Sequence, residues 1–316
     1  MIIVPTRVCN TNNCNYCWVY KKDFEIKYFN NFDLSDFYEK LQILSEKTND
    51  FELRFFWWEA FLKFKTIQNI IDFIKTKTNK YSFVINTNLT IIDEEKLKYI
   101  KDNNIKLIIS CNWKINDHSI TRWITIKQTL DLYKNIKLIT SYNINHQINI
   151  VVDNNTSKNL KENLYFIQDE LWWKNINLLP VNYNWWDENW LSDLEKSFDD
   201  LLVDIKNNKL KIHFINKDID NQVLLFNSEF VIDSDWNIYP SMVILETFFN
   251  EQKKKILISN MTKNIIDFIN DLNYFSVEDN YIYSKFINKF LENEFKSIID
   301  NDYRSSELFH NFLIKF

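Results

Sequence analysis

Ile2-Ile-Val-Pro-Thr-Arg-Val-Cys9-Asn-Thr-Asn-Asn-Cys14-Asn-Tyr16-Cys17 is a short β-branched run that leads directly into three cysteines within nine residues. A helical pattern follows over Leu34–Leu44, with Phe37, Leu41 and Leu44 on one face and Asp33 placed to cap its start. A second apolar run, Phe51–Phe56, completes a strand–loop–helix–strand unit. The same unit recurs. Strands are expected at Tyr81–Asn86, Ile105–Cys111, within Ile136–Val152 and at Ile176–Val181. Helices are expected at Thr66–Lys75, Asp93–Lys101, Thr125–Tyr133, Asn155–Leu171 and Glu188–Lys206. Strand–helix alternation with short connections implies parallel strands and right-handed crossovers. It admits a partial (β/α) barrel or an open doubly wound sheet, and in both the chemistry belongs at the carboxyl ends of the strands.

Past residue 207 the pattern changes. Leu210–Phe214 reads as a strand, Glu229–Ile232 and Asn237–Tyr239 as a hairpin around Asp235-Trp236, and the chain from about Met261 as helical. We place a domain boundary here, with residues 1–207 as the core and 208–316 as a small α+β C-terminal extension.

The 316 residues are 46% hydrophobic and 26% charged, which suits a globular chain and excludes disorder. No apolar run approaches the ~18 residues of a membrane span, and the first residues lack the pattern of a secretion signal. A net charge of −5 argues against a sequence-independent nucleic-acid binder. Four cysteines in this length do not make a disulfide framework. A cytoplasmic protein is expected.

Glycine is absent, although average usage would supply about 22 in this length. Tryptophan occurs 11 times, including the pairs Trp57-Trp58, Trp172-Trp173 and Trp185-Trp186, while alanine occurs only at Ala60. A glycine-free α/β fold must put bulky residues at every left-handed turn and close backbone approach. We therefore expect most of these tryptophans to be glycines in the cell, encoded by a reassigned UGA codon. Trp18 and one of Trp172-Trp173 are ambiguous.

Three clustered thiols are soft ligands suited to zinc or iron–sulfur. Three protein ligands leave one metal position open, as catalytic centres require. The cysteine loop resembles the signature of the radical SAM superfamily, three cysteines after the first strand with an aromatic residue before the last, here Tyr16. The spacing CxxxxCxxC is one residue longer than the family's common CxxxCxxC. At the end of the second strand, Arg54-Phe55-Phe56-Trp57-Trp58-Glu59-Ala60-Phe61-Leu62 resembles the family's Gly-Gly-Glu-Pro motif once glycine is read at 57 and 58. Asn86-Thr87-Asn88 resembles its Thr-Asn-Gly, and Ser110-Cys111-Asn112-Trp113 its Ser-x-Asp-Gly; Asp117-His118 and Arg122 follow in order.

The resemblance implies a partial (β/α)6 TIM-type barrel. It implies that Cys9, Cys14 and Cys17 hold a [4Fe–4S] cluster. It places S-adenosylmethionine on Tyr16, Trp57, Trp58, Glu59, Asn86, Ser110, Asn112 and Arg122. The activity implied is formation of a 5′-deoxyadenosyl radical for hydrogen abstraction, fed by a reductant protein of flavodoxin or ferredoxin type. Read with glycine at 236, Phe230–Ser241 resembles the hairpin of the SPASM and twitch extensions of peptide-modifying members, which suggests a peptide or protein substrate. Ser241 stands where those extensions carry a cysteine, and no cysteine follows Cys111, so the shape is expected without its cluster.

Each residue also has a plainer reading. Asn86 and Asn112 suit turns, Arg122 a solvated helix face, His118 a helix flank, and Cys111 a buried apolar position. The rival function is a non-catalytic module, a zinc-binding or interaction surface on a barrel scaffold.

Overall fold

Backbone pairing sets the strands in chain order. A computed structural model describes residues 1–11, 14, 17, 33–56, 58–122, 124–173, 175–181, 186–218, 229–241, 245, 253–274, 300–301 and 303–315. In it β1 (Ile2–Ile3), β2 (Glu52–Phe55), β3 (Ser82–Thr87), β4 (Lys106–Ser110), β5 (His146–Val152) and β6 (Asn175–Pro180) each pair in parallel with the next. Strand β7 (His213–Phe214) adds in parallel to β6. On the other side β8 (Val231–Ile232) lies parallel to β1, and β9 (Asn237–Tyr239) and β10 (Ser259–Asn260) follow antiparallel. The ten strands form one open sheet with β10 and β7 at its edges. This is the partial barrel, left unclosed, and its sheet runs on through residue 207 into the C-terminal strands.

The helices between the strands are α1 (Leu34–Thr48), α2 (Phe64–Lys77), α3 (Glu94–Asp102), α4 (Ile115–Arg122), α5 (Ile126–Ser141), α6 (Leu160–Asp169) and α7 (Glu188–Lys206). Short α8 (Lys253–Ile256) and α9 (Ile265–Asn273) flank β10. Their starts are written locally. The Asp33 side chain accepts from the amides of Ser35 and Asp36, Asp93 from Lys96 and Asp187 from Trp190, while Thr125 and Gln128 form a reciprocal capping box. Alternate strand residues such as Leu53, Ile85, Ile109, Ile150 and Leu178 pack with the apolar helix stripes into one core. Burying each such side chain contributes about 1.5–3 kcal/mol. No helix among the described residues is long and apolar enough to cross a membrane.

Several boundaries move for physical reasons. The first strand, expected over Ile2–Val8, stops at Ile3, because Pro5 has no N–H for the ladder and turns the chain into the cysteine loop. Helix α5 continues beyond Tyr133 to Ser141 and buries Ile136 and Ile139, so β5 begins only at His146. The strand expected at Leu210–Phe214 is His213–Phe214, and the hairpin's first strand starts at Val231.

Eight described residues have positive φ: Asn49, Trp58, Leu89, Asn104, Asn143, Trp172, Asn208 and Trp236. The four asparagines follow the C-terminal ends of α1, α3, α5 and α7, where glycine is ordinarily used. Asparagine tolerates this region and tryptophan does not. Trp172 has φ 57 and is 79% exposed, whereas Trp186 is 1% exposed and its Nε1 donates to the Val181 carbonyl at 3.0 Å. Trp172→Gly is expected to raise the unfolding free energy by about 1 kcal/mol, and Trp186→Gly to lower it by about 3–5 kcal/mol. Urea titrations of both variants check the pair of signs.

Candidate active site

At the carboxyl ends of the strands, the loop after β1 is tied down by its neighbours. The Val8 amide donates to Thr6 Oγ1 at 3.1 Å, and the Glu59 amide donates to the Val8 carbonyl at 3.3 Å. Cys9 Sγ lies 3.2 Å from Thr11 Oγ1 and receives the Thr11 amide at 3.5 Å. Asn88 Nδ2 reaches Asn10 Oδ1 at 2.9 Å, Thr11 Oγ1 at 3.3 Å and Cys9 Sγ at 3.9 Å, so β3 clamps the start of the loop. Further along, the Cys17 amide donates to the Cys14 carbonyl at 3.0 Å. Cys9, Cys14 and Cys17 are half-buried and form no disulfide, and burial pushes the Cys9 thiol up. Among the described residues no group of three His, Cys, Asp or Glu is gathered to hold a single metal ion. Tyr16 lies outside the described residues.

Glu59 is fully buried where β2 ends. Its Oε1 accepts from the Phe61 amide at 2.9 Å and from Thr87 Oγ1 at 2.8 Å, and its Oε2 accepts from the Asn88 amide at 2.8 Å. Burial raises its pKa to about 7, partly offset by the Asn88 and Phe61 amides, the Thr87 hydroxyl and the charge of Arg122. Beside it Trp58 has φ 46, a conformation in which glycine is unstrained and leaves main chain bare for a ligand. Trp57 lies outside the described residues.

The loop after β4 holds Asn112 inward. Its side chain Nδ2 contacts Thr121 Oγ1 at 3.4 Å, and its Oδ1 accepts from the Val151 amide at 3.5 Å. His118, expected at a helix flank, is instead buried within α4, with Nδ1 2.9 Å from the Asn112 amide and 2.8 Å from its carbonyl oxygen. Burial, reinforced by Arg122, lowers its pKa to about 3, so it latches this loop as a neutral ring. Cys111 is buried in the core and its thiol is pushed up to about 12 by burial. Arg122, at the end of α4, is 7% exposed, and its charge acts on Glu59, Cys111 and His118 together. Glu59, Asn112 and Arg122 are thus brought to one mouth.

Sequence reading missed a polar layer on the sheet face turned away from the helices. Strand register aligns Asn86 with Ile108 and Gln147, and Ser110 with Asn149 and Asn177. Asn149 Oδ1 accepts from Gln147 Nε2 at 3.2 Å and from Asn177 Nδ2 at 3.3 Å. Asn86 Oδ1 and Asn177 Oδ1 are buried without a hydrogen-bond partner. Val84, Ile108, Val151 and Leu179 interrupt the polar residues on this face, so no strand alternates regularly enough to signal it.

A carboxyl whose folded pKa is raised binds its proton more tightly in the native state than in the unfolded one. Glu59 therefore favours folding below its unfolded value, and that contribution is lost as pH rises from about 4.5 through about 7. Glu59→Gln is expected to flatten the decline of unfolding free energy across this window, measured by urea titration at a series of pH values.

The comparisons agree with this geometry. The profile of the Radical SAM superfamily matches residues 3–164. An uncharacterized protein of Methanocaldococcus jannaschii is 29% identical over 165 residues, covering 51% of this chain and 56% of that protein. A cysteine-type anaerobic sulfatase-maturating enzyme of Clostridium novyi is 28% identical over 239 residues, covering 63% of this chain and 62% of that enzyme. The chain thus spans about three fifths of the length of these curated relatives. Among solved structures, native anSMEcpe with bound AdoMet and Cp18Cys peptide superposes with TM-score 0.65 at 18% identity, covering 87% of this chain and 81% of that one. SuiB of Streptococcus suis bound to precursor peptide SuiA gives 0.59 at 15% identity, covering 84% and 63%. At these identities the superpositions speak for the fold. A family profile that spans half of the chain, over the strands and loops just described, decides the matter: the chain belongs to the radical SAM superfamily of iron–sulfur enzymes.

Proposed function

We propose that the chain is a radical SAM enzyme that acts on a peptide or protein substrate, with residues 1–207 as its catalytic core and 208–316 as a substrate-side extension that carries no cluster of its own. The observation that carries this reading is the join of the three-cysteine loop to the buried Glu59 through Asn88 and the Val8 carbonyl. The donor set fits an iron–sulfur cluster, since three half-buried thiols on one loop are soft ligands with room for a fourth, non-protein one. Cys9, Cys14 and Cys17 would hold it. Glu59, Asn86, Ser110, Asn112 and Arg122 would hold S-adenosylmethionine, together with Tyr16 and the backbone of positions 57 and 58. When bound, cluster and S-adenosylmethionine supply a 5′-deoxyadenosyl radical that removes a hydrogen atom from the substrate.

The residues divide the work by chemistry. A guanidinium such as that of Arg122 suits a carboxylate. Asn86 Oδ1, buried and without a partner, is an acceptor waiting for a donor. Glu59, with two amide N–H groups and a hydroxyl already on its oxygens, holds the ends of β2 and β3 in register and offers negative charge at the mouth. A side chain at position 58 would occupy the space of a ligand laid against the main chain, so the fit to S-adenosylmethionine requires glycine there. This supports the reading that UGA encodes glycine in the native gene, with Trp58, Trp172 and Trp236 foremost among the reassigned positions because all three have positive φ. The codons at 57 and 58 decide it. A peptide substrate is supported by two of the similar structures, anSMEcpe with Cp18Cys peptide and SuiB with precursor peptide SuiA. A flavodoxin- or ferredoxin-type protein in the cytoplasm would supply the electron.

Anaerobic reconstitution of a gene recoded with glycine tests the function. The expected product is a brown protein that forms 5′-deoxyadenosine from S-adenosylmethionine when reduced. Cys9→Ala, Cys14→Ala and Cys17→Ala each abolish this, while Cys111→Ala leaves the iron content unchanged. A colourless protein that binds one zinc tightly would refute the proposal in favour of a non-catalytic module.

A further inference from the structure

The loop that carries Cys9 is held by the C-terminal hairpin. Arg7 Nε donates to Asp233 Oδ1 at 2.9 Å across a sequence separation of 226 residues, and its terminal nitrogen NH2 pairs with Oδ2. The side chains are 6% and 0% exposed. Arg7 stands two residues before Cys9, and Asp233 directly follows β8. Strand β8 delivers it there: the Phe230 carbonyl accepts from the Ile2 amide at 2.8 Å, and the Ile232 carbonyl from the Val4 amide at 2.9 Å. The other end of β8 is also tied by arginine, since Arg54 of β2 reaches Glu229 at 3.3 Å. Asp233 is itself set by a tight turn. Its amide donates to the Asn237 carbonyl at 2.9 Å, its carbonyl accepts from the Trp236 amide at 2.8 Å, and its Oδ1 also accepts from the Ser234 amide at 2.7 Å.

A buried ion pair is a poor source of net stability, because desolvating both charges offsets their attraction. What a guanidinium–carboxylate pair supplies is geometry, a planar donor fork that accepts one orientation. Here that geometry falls between the hairpin and the entry to the cysteine loop. The hairpin has no thiol with which to hold a cluster, since the last cysteine of the chain is Cys111. We propose that the C-terminal hairpin is a brace for the cysteine loop, and that Arg7 and Asp233 are positioning residues that hold Cys9 in its ligating place. The consequence for a cluster rests on the function proposed above, whereas the brace itself is read on the cluster-free chain.

The test is the rate at which iodoacetamide alkylates Cys9 in the full cluster-free chain, followed by peptide mass spectrometry, with buried Cys111 as the internal reporter of global opening. Asp233→Asn is expected to raise the Cys9 rate by about tenfold with Cys111 unchanged, as loss of a charged hydrogen bond that restrains local opening would. The double variant Arg7→Met/Asp233→Leu has no unpaired buried charge. It is expected to keep the fast Cys9 rate with Cys111 still protected, and after reconstitution to retain less iron than the parent. Parent-like protection of Cys9 in the double variant would overturn the brace and leave the pair as charge compensation. So would Cys9 and Cys111 accelerating together in every variant. If Asp233→Asn does not fold, the double variant decides alone. A parent chain that binds no iron while the alkylation rates follow the stated pattern upholds the brace and refutes the cluster reading, so the two fail separately.

Discussion

A carboxylate cut off from water must be satisfied by the protein around it, and Glu59 is satisfied by its own loop and by the distant end of β3, while its main chain ties in the loop after β1. Its side chain takes the Phe61 amide from its own loop and the Thr87 hydroxyl and Asn88 amide from β3, while its main chain bonds Val8 after β1. Removing any one donor would leave a buried charge short of a partner, a penalty of about 1–3 kcal/mol. The strand ends are therefore not free to drift, and the cysteine loop, clamped in turn by Asn88, inherits that rigidity. Parallel pairing lays the strands side by side, and Glu59 locks their ends into a mouth.

The same demand for satisfaction explains the chain's composition. A fold with this many strand–helix crossings needs left-handed residues where helices end. Four of those places are filled by Asn49, Asn104, Asn143 and Asn208, whose short amides tolerate the region. Asparagine makes up about one residue in seven, so such residues were available. Positions 58, 172 and 236 differ, because tryptophan offers neither a local hydrogen bond to the turn nor a small Cβ substituent. Two of them sit at places that matter beyond the turn itself. Trp58 adjoins Glu59, and Trp236 closes the hairpin turn that presents Asp233.

Much of the architecture was legible in the sequence because helix and strand have different apolar periods and the helix starts carry their caps in plain view. Glu188–Lys206 and the Asp33 cap could be read outright. Where local signals competed, tertiary context decided. Ile136 and Ile139 suit a strand as well as a helix, and packing made them helical. Of the site, the cysteine loop stood out because clustered thiols are chemically marked, and Glu59 through the likeness of Arg54–Leu62 to a Gly-Gly-Glu-Pro motif. Gln147, Asn149 and Asn177 did not, since an asparagine in an asparagine-rich chain carries no signal until register shows that the three share a face. Asn88 entered only through the likeness of Asn86-Thr87-Asn88 to Thr-Asn-Gly, and its clamp on Asn10 and Thr11 exists only once β1 and β3 have been brought to the same end of the sheet.

The arginines tie these threads together. The chain has 38 basic residues and only four are arginine. Arg304 makes an exposed pair with Glu188. The other three lie on or above the sheet: Arg7 with Asp233, Arg54 with Glu52 and Glu229, and Arg122 with its charge on Glu59. Lysine would neutralise the same acids, but as a flexible point charge it would not fix their orientation. In a composition that otherwise favours lysine, arginine is kept where direction matters: twice to hold β8 against the first two strands, and once to face the buried carboxylate at the mouth. The extension is thereby bonded to the strand that begins the cysteine loop, so any motion of the hairpin reaches Cys9 through one ion pair and the backbone of Arg7 and Val8. The hairpin and the cysteine loop, joined across 226 residues of sequence, are mechanically one element.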